Sequence, residues 1–293
     1  MTSPFVRRRR LGAELRTLRE QSGMTADELA RRIYRSRMTI SKLENARCRP
    51  DIGDIVKIMK ILGVTGDRFD ALFKIACDAA ERGWWDNYGD AMGPRQRIYA
   101  DLESGAASIR EYNQFTIPGT LQTPRLIQFL IEMARNEGAI DFIPDRLLQA
   151  RIRRQEHALG PHGPRYEAIL DEVVIRRPTA PSHVMLDQLR YLIETALMHP
   201  RATVLVLPVE ADFTGRLLPK SAFSLYTFPD PADPPMAVVD TVSTDIIHTE
   251  REEVMRYNQR YEHLRQAAHS GAASIGLLTD AADRLENRIG RSP

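Results

Sequence analysis

Long apolar runs are missing from these 293 residues, which excludes a membrane-spanning helix, since one needs about 20 consecutive apolar residues. Cysteine is nearly missing too. The two present, Cys48 and Cys77, stand without CxxC spacing, so neither a disulfide framework nor a zinc site is expected. Lysine is scarce, with only Lys42, Lys57, Lys60, Lys74 and Lys220 beside many arginines, a bias that reads as genome composition. No apolar stretch follows the basic start MTSPFVRRRRLGAEL, so no secretory signal is expected and the cytoplasm is the expected address. Catalytic signatures are absent as well: no GxSxG, no phosphate-binding glycine loop, no HExxH and no paired catalytic cysteine and histidine. The seven histidines lack ligand spacing, and they read as surface or loop residues. Asp171 and Glu172 are adjacent in a strand-like segment, where neighbouring side chains point to opposite faces and make a poor acid/base pair. The expectation is a protein that is not an enzyme and carries no cofactor.

What is present is an uneven distribution of charge. The whole chain is only +2, but residues 1–80 hold 17 Lys and Arg against 10 Asp and Glu, which leaves the remainder net acidic. A basic module joined to a mildly acidic one is the asymmetry expected when only one part meets phosphate. The length suggests two domains. The stretch GWWDNYGDAMGP, with three glycines and a proline, marks a boundary that gives domains 1–80 and 81–293. Trp84 and Trp85 within it read either as a ligand cage or as packing between the two parts, the latter being the more usual use of such a pair.

Five helices can be read in residues 1–80. Leu11, Leu15 and Leu18 recur at helical spacing between Arg9 and Gln21, and Gly23 follows as a stop. Thr25 with Glu28 forms a capping box ahead of Leu29, Ala30 and Ile33. Tyr34 and Arg35 make a turn, and Ser36 caps a third helix with Ile40 and Leu43 on its inner face. Pro50 opens the fourth, lined by Ile55, Ile58, Met59 and Leu62; Phe69, Leu72, Phe73 and Ile75 serve the fifth. The third helix leaves Arg37, Met38 and Lys42 on its outward side, as expected of a helix that enters a DNA groove. Arg7 to Arg10 precede the first helix and read either as a solvated basic start or as an arm that follows the DNA backbone or enters a minor groove.

The segment RRRRLGAELRTLREQSGMTADELARRIYRSRMTISKLENARCRP resembles the Cro/CI-type helix-turn-helix of phage repressors and the XRE family of bacterial regulators. That resemblance implies a five-helix, all-α domain whose third helix lies in the major groove. Arg37, Met38 and Lys42 match the family's base-facing positions, with Ser36, Thr39 and Ser41 close enough to assist. Arg37 suits guanine O6 and N7, Lys42 a guanine or a phosphate, and Met38 only apolar contact. Thr25, Asn45, Arg47 and Arg49 are expected to touch phosphate, fixing register without reading sequence. Each good base contact is worth roughly 1–3 kcal/mol, so a subunit with two or three is a modest reader and a homodimer on an inverted repeat of double-stranded DNA is implied. The resemblance also implies an ion pair between Glu44 and Arg19. Many relatives have glycine where this chain has Ala46, so alanine carries a strain penalty if the backbone there needs positive φ.

Residues 81–293 read as an α+β domain with a mostly antiparallel sheet flanked by helices. Helices are expected over residues 98–113, 126–137, from Pro144 to RIRRQEHAL, 185–197 and 250–268, with one more over 274–288. Strands are expected over 166–170, 173–175, 203–207, 223–228 and 236–242, with FPDPADPP as a hairpin turn. Arg151, Arg153 and Arg154 read as a solvated or salt-bridged helix face, with a second nucleic-acid surface as the alternative. The WW pair, IPGTLQTP, RIRRQ, LDEVVIRRP, the pair Gln188–Leu189 and VLVLP together resemble the C-terminal domain of actinobacterial regulators of the WhiJ type. Those regulators are described as antitoxin-like and are encoded beside a small partner protein. By resemblance, the domain senses an effector or binds such a partner.

Overall fold

Ser3 and Pro4 start the chain's first helix earlier than the leucine spacing alone suggests. The Ser3 hydroxyl accepts from the amide of Val6, and Pro4 occupies the first turn, where its missing N–H costs nothing. The computed structural model describes residues 2–138, 142–241 and 244–291. Two compact units result, and neither is continuous in sequence. One takes in residues 1–87, 98–105 and 229–234, and the other residues 88–97, 106–228 and 235–293.

The first unit contains α1 (Pro4–Gln21), α2 (Ala26–Arg32), α3 (Arg37–Glu44), α4 (Ile52–Ile61) and α5 (Gly66–Ala80). Leu11, Leu15, Leu29, Ile33, Ile40, Ile55, Ile58, Met59 and Leu72 form its buried centre, as helical spacing predicts. Phe73 is an exception: it lies outside that centre, stacked on Phe69 at 6.2 Å. α1 and α3 approach so closely that a Cβ on Gly12 would sit 2.6 Å from the carbonyl oxygen of Glu44, so only glycine fits there.

Because α1 begins at Pro4, the four arginines lie inside a helix, and neither reading of Arg7 to Arg10 holds. Arg7, itself buried, lies 3.0 Å from Asp230, 3.4 Å from Asp233 and 3.5 Å from Asp78. Arg10 reaches Asp230 at 2.7 Å and Asp233 at 3.2 Å. Arg8 reaches Asp101, which also accepts from the Ser3 hydroxyl at 2.5 Å, and Arg9 lies over the Phe5 ring. Burial pushes Asp101 up and Arg8 down, opposite shifts produced by one cause in an ion pair taken out of water.

Asp230 is held down at about 2, first by the amide of Ala232 and then by Arg10, whereas burial pushes Asp233 up against the pull of Arg7 and Arg10. A carboxylate lowered on folding stabilises above its unfolded value and loses that contribution as pH falls through its folded one. The Asp230 clasp is therefore expected to weaken between about pH 4 and pH 2. Thermal melts of Asp230→Asn and the wild type should converge over that window, and parallel curves would refute the assignment.

The second unit is built on a six-stranded mixed sheet, in the order β3-β2-β1-β4-β5-β6, in which three of the five strand pairs are antiparallel and two are parallel. Its strands are β1 (Ser108–Asn113), β2 (Arg165–Asp171), β3 (Ala202–Leu207), β4 (Phe223–Thr227), β5 (Met236–Val239) and β6 (Ile246–His248). β1 pairs with β2 and β2 with β3 in parallel; the β1–β4, β4–β5 and β5–β6 pairs are antiparallel. A parallel pair needs a long crossover. Helices α7 (Pro124–Glu137) and α8 (Pro144–Ala158) supply the first crossover, and α9 (Glu172–Arg176) and α10 (Ser182–Met198) the second. FPDPADPP does join an antiparallel hairpin, β4 to β5. The expected strand over 236–242 ends at Val239, and its last residue, Val242, lies outside the described residues.

Two further local expectations change. The helix expected over 98–113 is α6 (Gly93–Gly105) followed by β1, because residues 108–113 pair on both edges as an inner strand. The β-branched run at 173–175 is helical: Asp171 accepts from the amide of Val173 and starts α9, burying Val174 and Ile175. α11 (Arg251–Ala267) lays Val254, Tyr261 and Leu264 on the sheet face carrying Tyr112, Ile169, Leu205 and Phe223. α12 (Gly271–Ile289) packs with α10 and β3, and Ser274 donates no side-chain bond to the strand but accepts one from the amide of Val206. Among the described residues no helix is long and apolar enough to cross a membrane.

Candidate nucleic-acid interface

The unit from α2 to α3 is set by local chemistry. Thr25 accepts from the amide of Glu28 at 3.2 Å, and the Glu28 carboxylate accepts in return from the amide of Thr25 at 2.7 Å, which closes the expected capping box. The Thr25 amide, then its hydroxyl, hold Glu28 below the usual carboxylate range. Four residues separate α2 from α3. Tyr34 among them has φ 59, a left-handed conformation that bulky residues seldom adopt, and its side chain is 92% exposed. Ser36 then caps α3 by accepting from the amide of Thr39.

α3 is braced on its inner side and open on its outer one. Ile40 and Leu43 are buried, while Arg37, Met38, Ser41 and Lys42 are exposed. Arg37 with Ser41, and Met38 with Lys42, stand four residues apart and so form two neighbouring rows along one side of the helix. The Arg37 side chain is 72% exposed and lies 3.6 Å from Asp27, a surface contact too weak to hold it. Thr39 is half-buried, and its hydroxyl lies 3.0 Å from that of Ser36, so both serve the cap. Asn45 ends α3 and donates its side-chain amide to the carbonyl of Ser41 at 2.7 Å. Arg47 is exposed. Arg49 pairs with Asp86 at 2.9 Å.

Glu44 is turned away from this surface and bound by a fork. Arg19 donates to its two carboxylate oxygens at 2.6 and 3.0 Å, and also to the carbonyl of Met24 at 2.9 Å. The pair is nearly enclosed, and the hydrogen bond from Arg19 fixes the C-terminal end of α3 to α1 and to the entry of α2. Ala46 follows with φ 55, the positive value that disfavours alanine. A left-handed alanine costs about 1–2 kcal/mol and glycine gives back about 0.5–1 kcal/mol in unfolded-chain entropy. Ala46→Gly is therefore expected to stabilise the protein by about 0.5–1 kcal/mol in chemical denaturation, and a loss of stability would show that the strain is absent.

Sequence reasoning did not find the close approach at Gly12 or the left-handed Tyr34. A lone glycine inside a helical pattern was the available signal for the first. It also overestimated the freely exposed positive charge, because Arg7, Arg8 and Arg10 are matched by Asp101, Asp230 and Asp233, which lie beyond residue 80.

In the second unit the motif residues converge on one loop. The side-chain amide of Gln155 donates to the carbonyls of Gly119 and Gln122 at 2.8 and 2.6 Å, that of Gln188 to Leu121 at 2.7 Å, and that of Gln122 to Ile117 at 2.8 Å. Gln188 also accepts from the amide of Thr123 at 2.7 Å. Three glutamines, Gln122 from within the segment and Gln155 and Gln188 from outside it, thus satisfy backbone groups of IPGTLQTP that its own 3-10 turn leaves over. The basic run of α8 is not a solvated face. Arg154 is buried and donates to Gln96, Arg151 is half-buried toward Gln122, and only Arg153 is exposed. Asp171 and Glu172 are likewise committed: the first caps α9, and the second, buried, pairs with Arg176 and accepts from the amide of Val209.

Comparison with known families bears on both units. A model described as a helix-turn-helix domain matches residues 10–72, and one described as a domain of unknown function, DUF5753, matches residues 96–280. No curated protein and no solved structure matches the chain.

Proposed function

The chain belongs to the DUF5753 family, with a helix-turn-helix domain ahead of the matched region, and from that premise we propose a sequence-specific DNA-binding transcriptional regulator. The observation that carries this reading is α3: a helix fixed from behind by Arg19, Glu44, Ile40 and Leu43 that presents Arg37, Met38 and Lys42 outward. In this reading residues 1–80 are a five-helix Cro/CI-type domain of the XRE kind. Arg37 and Lys42 meet base edges and Met38 a thymine methyl, while Ser36, Thr39 and Ser41 assist. Thr25, Asn45, Arg47 and Arg49 meet phosphate, with Arg49 exchanging Asp86 for it. Few base contacts per subunit make the protein a dimer on a short inverted repeat, and occupancy over a promoter makes it a repressor. Residues 81–293 serve as an effector- or partner-binding domain of the WhiJ type, in the cytoplasm and without catalysis.

The test is a mobility shift on the region upstream of the protein's own gene, with an unrelated duplex as control. Retardation of the first in preference to the second is expected. Affinity should fall linearly on a log–log plot against salt as counterions are released from phosphate. Equal retardation of both duplexes would reduce the protein to a non-specific binder and overturn the reading.

A second reading has its own observation. Leu217 and Leu218 are neighbours, 74% and 53% exposed, as expected of residues that a protein partner covers. The protein is then antitoxin-like, masks a small protein encoded beside it, and uses DNA binding to regulate itself. Co-purification of that product with the full chain, lost in Leu217→Ser/Leu218→Ser, would favour this reading over the first.

A further inference from the structure

A cavity of about 320 Å³ in the second unit has walls made chiefly of Met92, just ahead of α6, Leu130 and Ile131 of α7, Phe142, just ahead of α8, and Leu147 of α8. Arg151 of α8 also lines it, and this arginine has no carboxylate among the described residues. It donates to the Gln122 side-chain oxygen at 3.4 Å, too far for a strong hydrogen bond, and Gln122 is tied in place through Ile117 and Gln155. The Nε of Arg151 is buried with no acceptor among the described residues. Burial, with repulsion from Arg154 and Arg95 added to it, draws Arg151 down to about 10. Arg95, the other cation on the wall, is answered by Asp245 at 2.6 Å.

A half-buried guanidinium whose Nε is fully buried, with no anion among the described residues, is a costly arrangement, and an anion arriving from outside would relieve it. The surroundings state what kind. One planar fork matches one carboxylate, two parallel N–H···O bonds to two oxygens. The apolar wall accepts a hydrocarbon body, and since Arg95 is already paired with Asp245, a single carboxylate suits the site better than a polyphosphate. The cavity lies at the small end of ligand pockets, which run from about 300 to 1,000 Å³.

We propose that this cavity binds a small carboxylic acid with an apolar body of roughly six to ten carbons, its carboxylate on Arg151 and its chain against Ile131, Phe142 and Leu147. The inference rests on the effector-binding half of the function proposed above and supplies its ligand class. Binding is measured without DNA, so its failure leaves the reading of α3 intact, and failure of DNA binding leaves this site intact.

The experiment is calorimetric titration of the full chain with octanoate and with its neutral isostere octanamide, repeated with 4-phenylbutanoate. Octanoate is expected to bind at least about tenfold tighter than octanamide, with 4-phenylbutanoate showing the same need for charge. Arg151→Gln should erase the preference, and Arg151→Lys should keep part of it. Without ligand, Arg151→Gln should melt at or above the wild-type temperature, because it removes an unanswered charge. The proposal fails if octanoate and octanamide bind alike, if neither acid binds, or if the preference survives in Arg151→Gln. It fails equally if Arg151→Gln melts lower while Arg151→Lys does not, since the positive charge would then be a structural requirement of the fold.

Discussion

Arg37→Ala is expected to weaken binding to the upstream duplex by about 10- to 100-fold while leaving an unrelated duplex almost unaffected, because one base contact is worth roughly 1–3 kcal/mol of discrimination. The side chain is free to make that contact. It is largely exposed at the first position of α3, and Asp27, the acid it approaches at 3.6 Å, is itself 60% exposed and easily exchanged. Folding stability should change by no more than about 0.5 kcal/mol, as for other surface substitutions away from caps and cores. Anisotropy titrations at one fixed salt concentration, beside denaturation of the same samples, separate the two effects. Lys42→Ala tests the row beside it, and if both variants bind both duplexes as the wild type does, α3 is not the reading helix.

Glu44→Ala is expected to cost about 3–5 kcal/mol of stability, the range found when one partner of an enclosed ion pair is removed. The argument is geometric. Arg19 and Glu44 expose only 11% and 9% of their side chains, and the fork between them satisfies both oxygens. Deleting the carboxylate leaves the arginine with the carbonyl of Met24 and a longer contact to Glu20 at 3.6 Å. Adding Arg19→Met should restore a large part of the loss, since contacting partners are not additive. Urea denaturation of the two single variants and the double variant gives the coupling energy directly. A cost below 1 kcal/mol, or strict additivity, would remove the brace from the account of α3. Were Glu44 instead a reader of DNA, its removal would spare stability and alter affinity.

The first unit was largely legible because its signals are local. Capping at Thr25 and Ser36, leucines at helical spacing and a glycine after α1 each act within a few residues, and each has its counterpart in the structure. Arg7, Arg8 and Arg10 defeated the same method, since their acidic partners lie about 70 to 225 residues away and no local rule points to an aspartate at 78, 101, 230 or 233. The sheet was half legible for a related reason. FPDPADPP announces a hairpin by its own turn chemistry, but the parallel pairs β1–β2 and β2–β3 had only an indirect signal: helical stretches lying between short apolar runs. Residues 173–175 show how a β-branched run misleads when one side-chain cap, Asp171, decides the backbone. The cavity beside Arg151 was not legible at all. A run of arginines looks the same whether it faces water or not, and only the fold tells which member lacks an anion.

The aspartates at 230 and 233 that answer Arg7 and Arg10 have a consequence in time. During synthesis α1 leaves the ribosome early, whereas the loop that answers it is made only when about four-fifths of the chain exists. At about 5–20 residues per second the interval is roughly 10 to 50 s. For that interval the arginine-rich helix has Asp78 and Asp101 but not Asp230 and Asp233, which leaves an excess of positive charge within reach of ribosomal RNA and any other polyanion nearby. The order of synthesis therefore makes the end of the hairpin the last piece of the first unit, and the helices that come first are the ones that must wait.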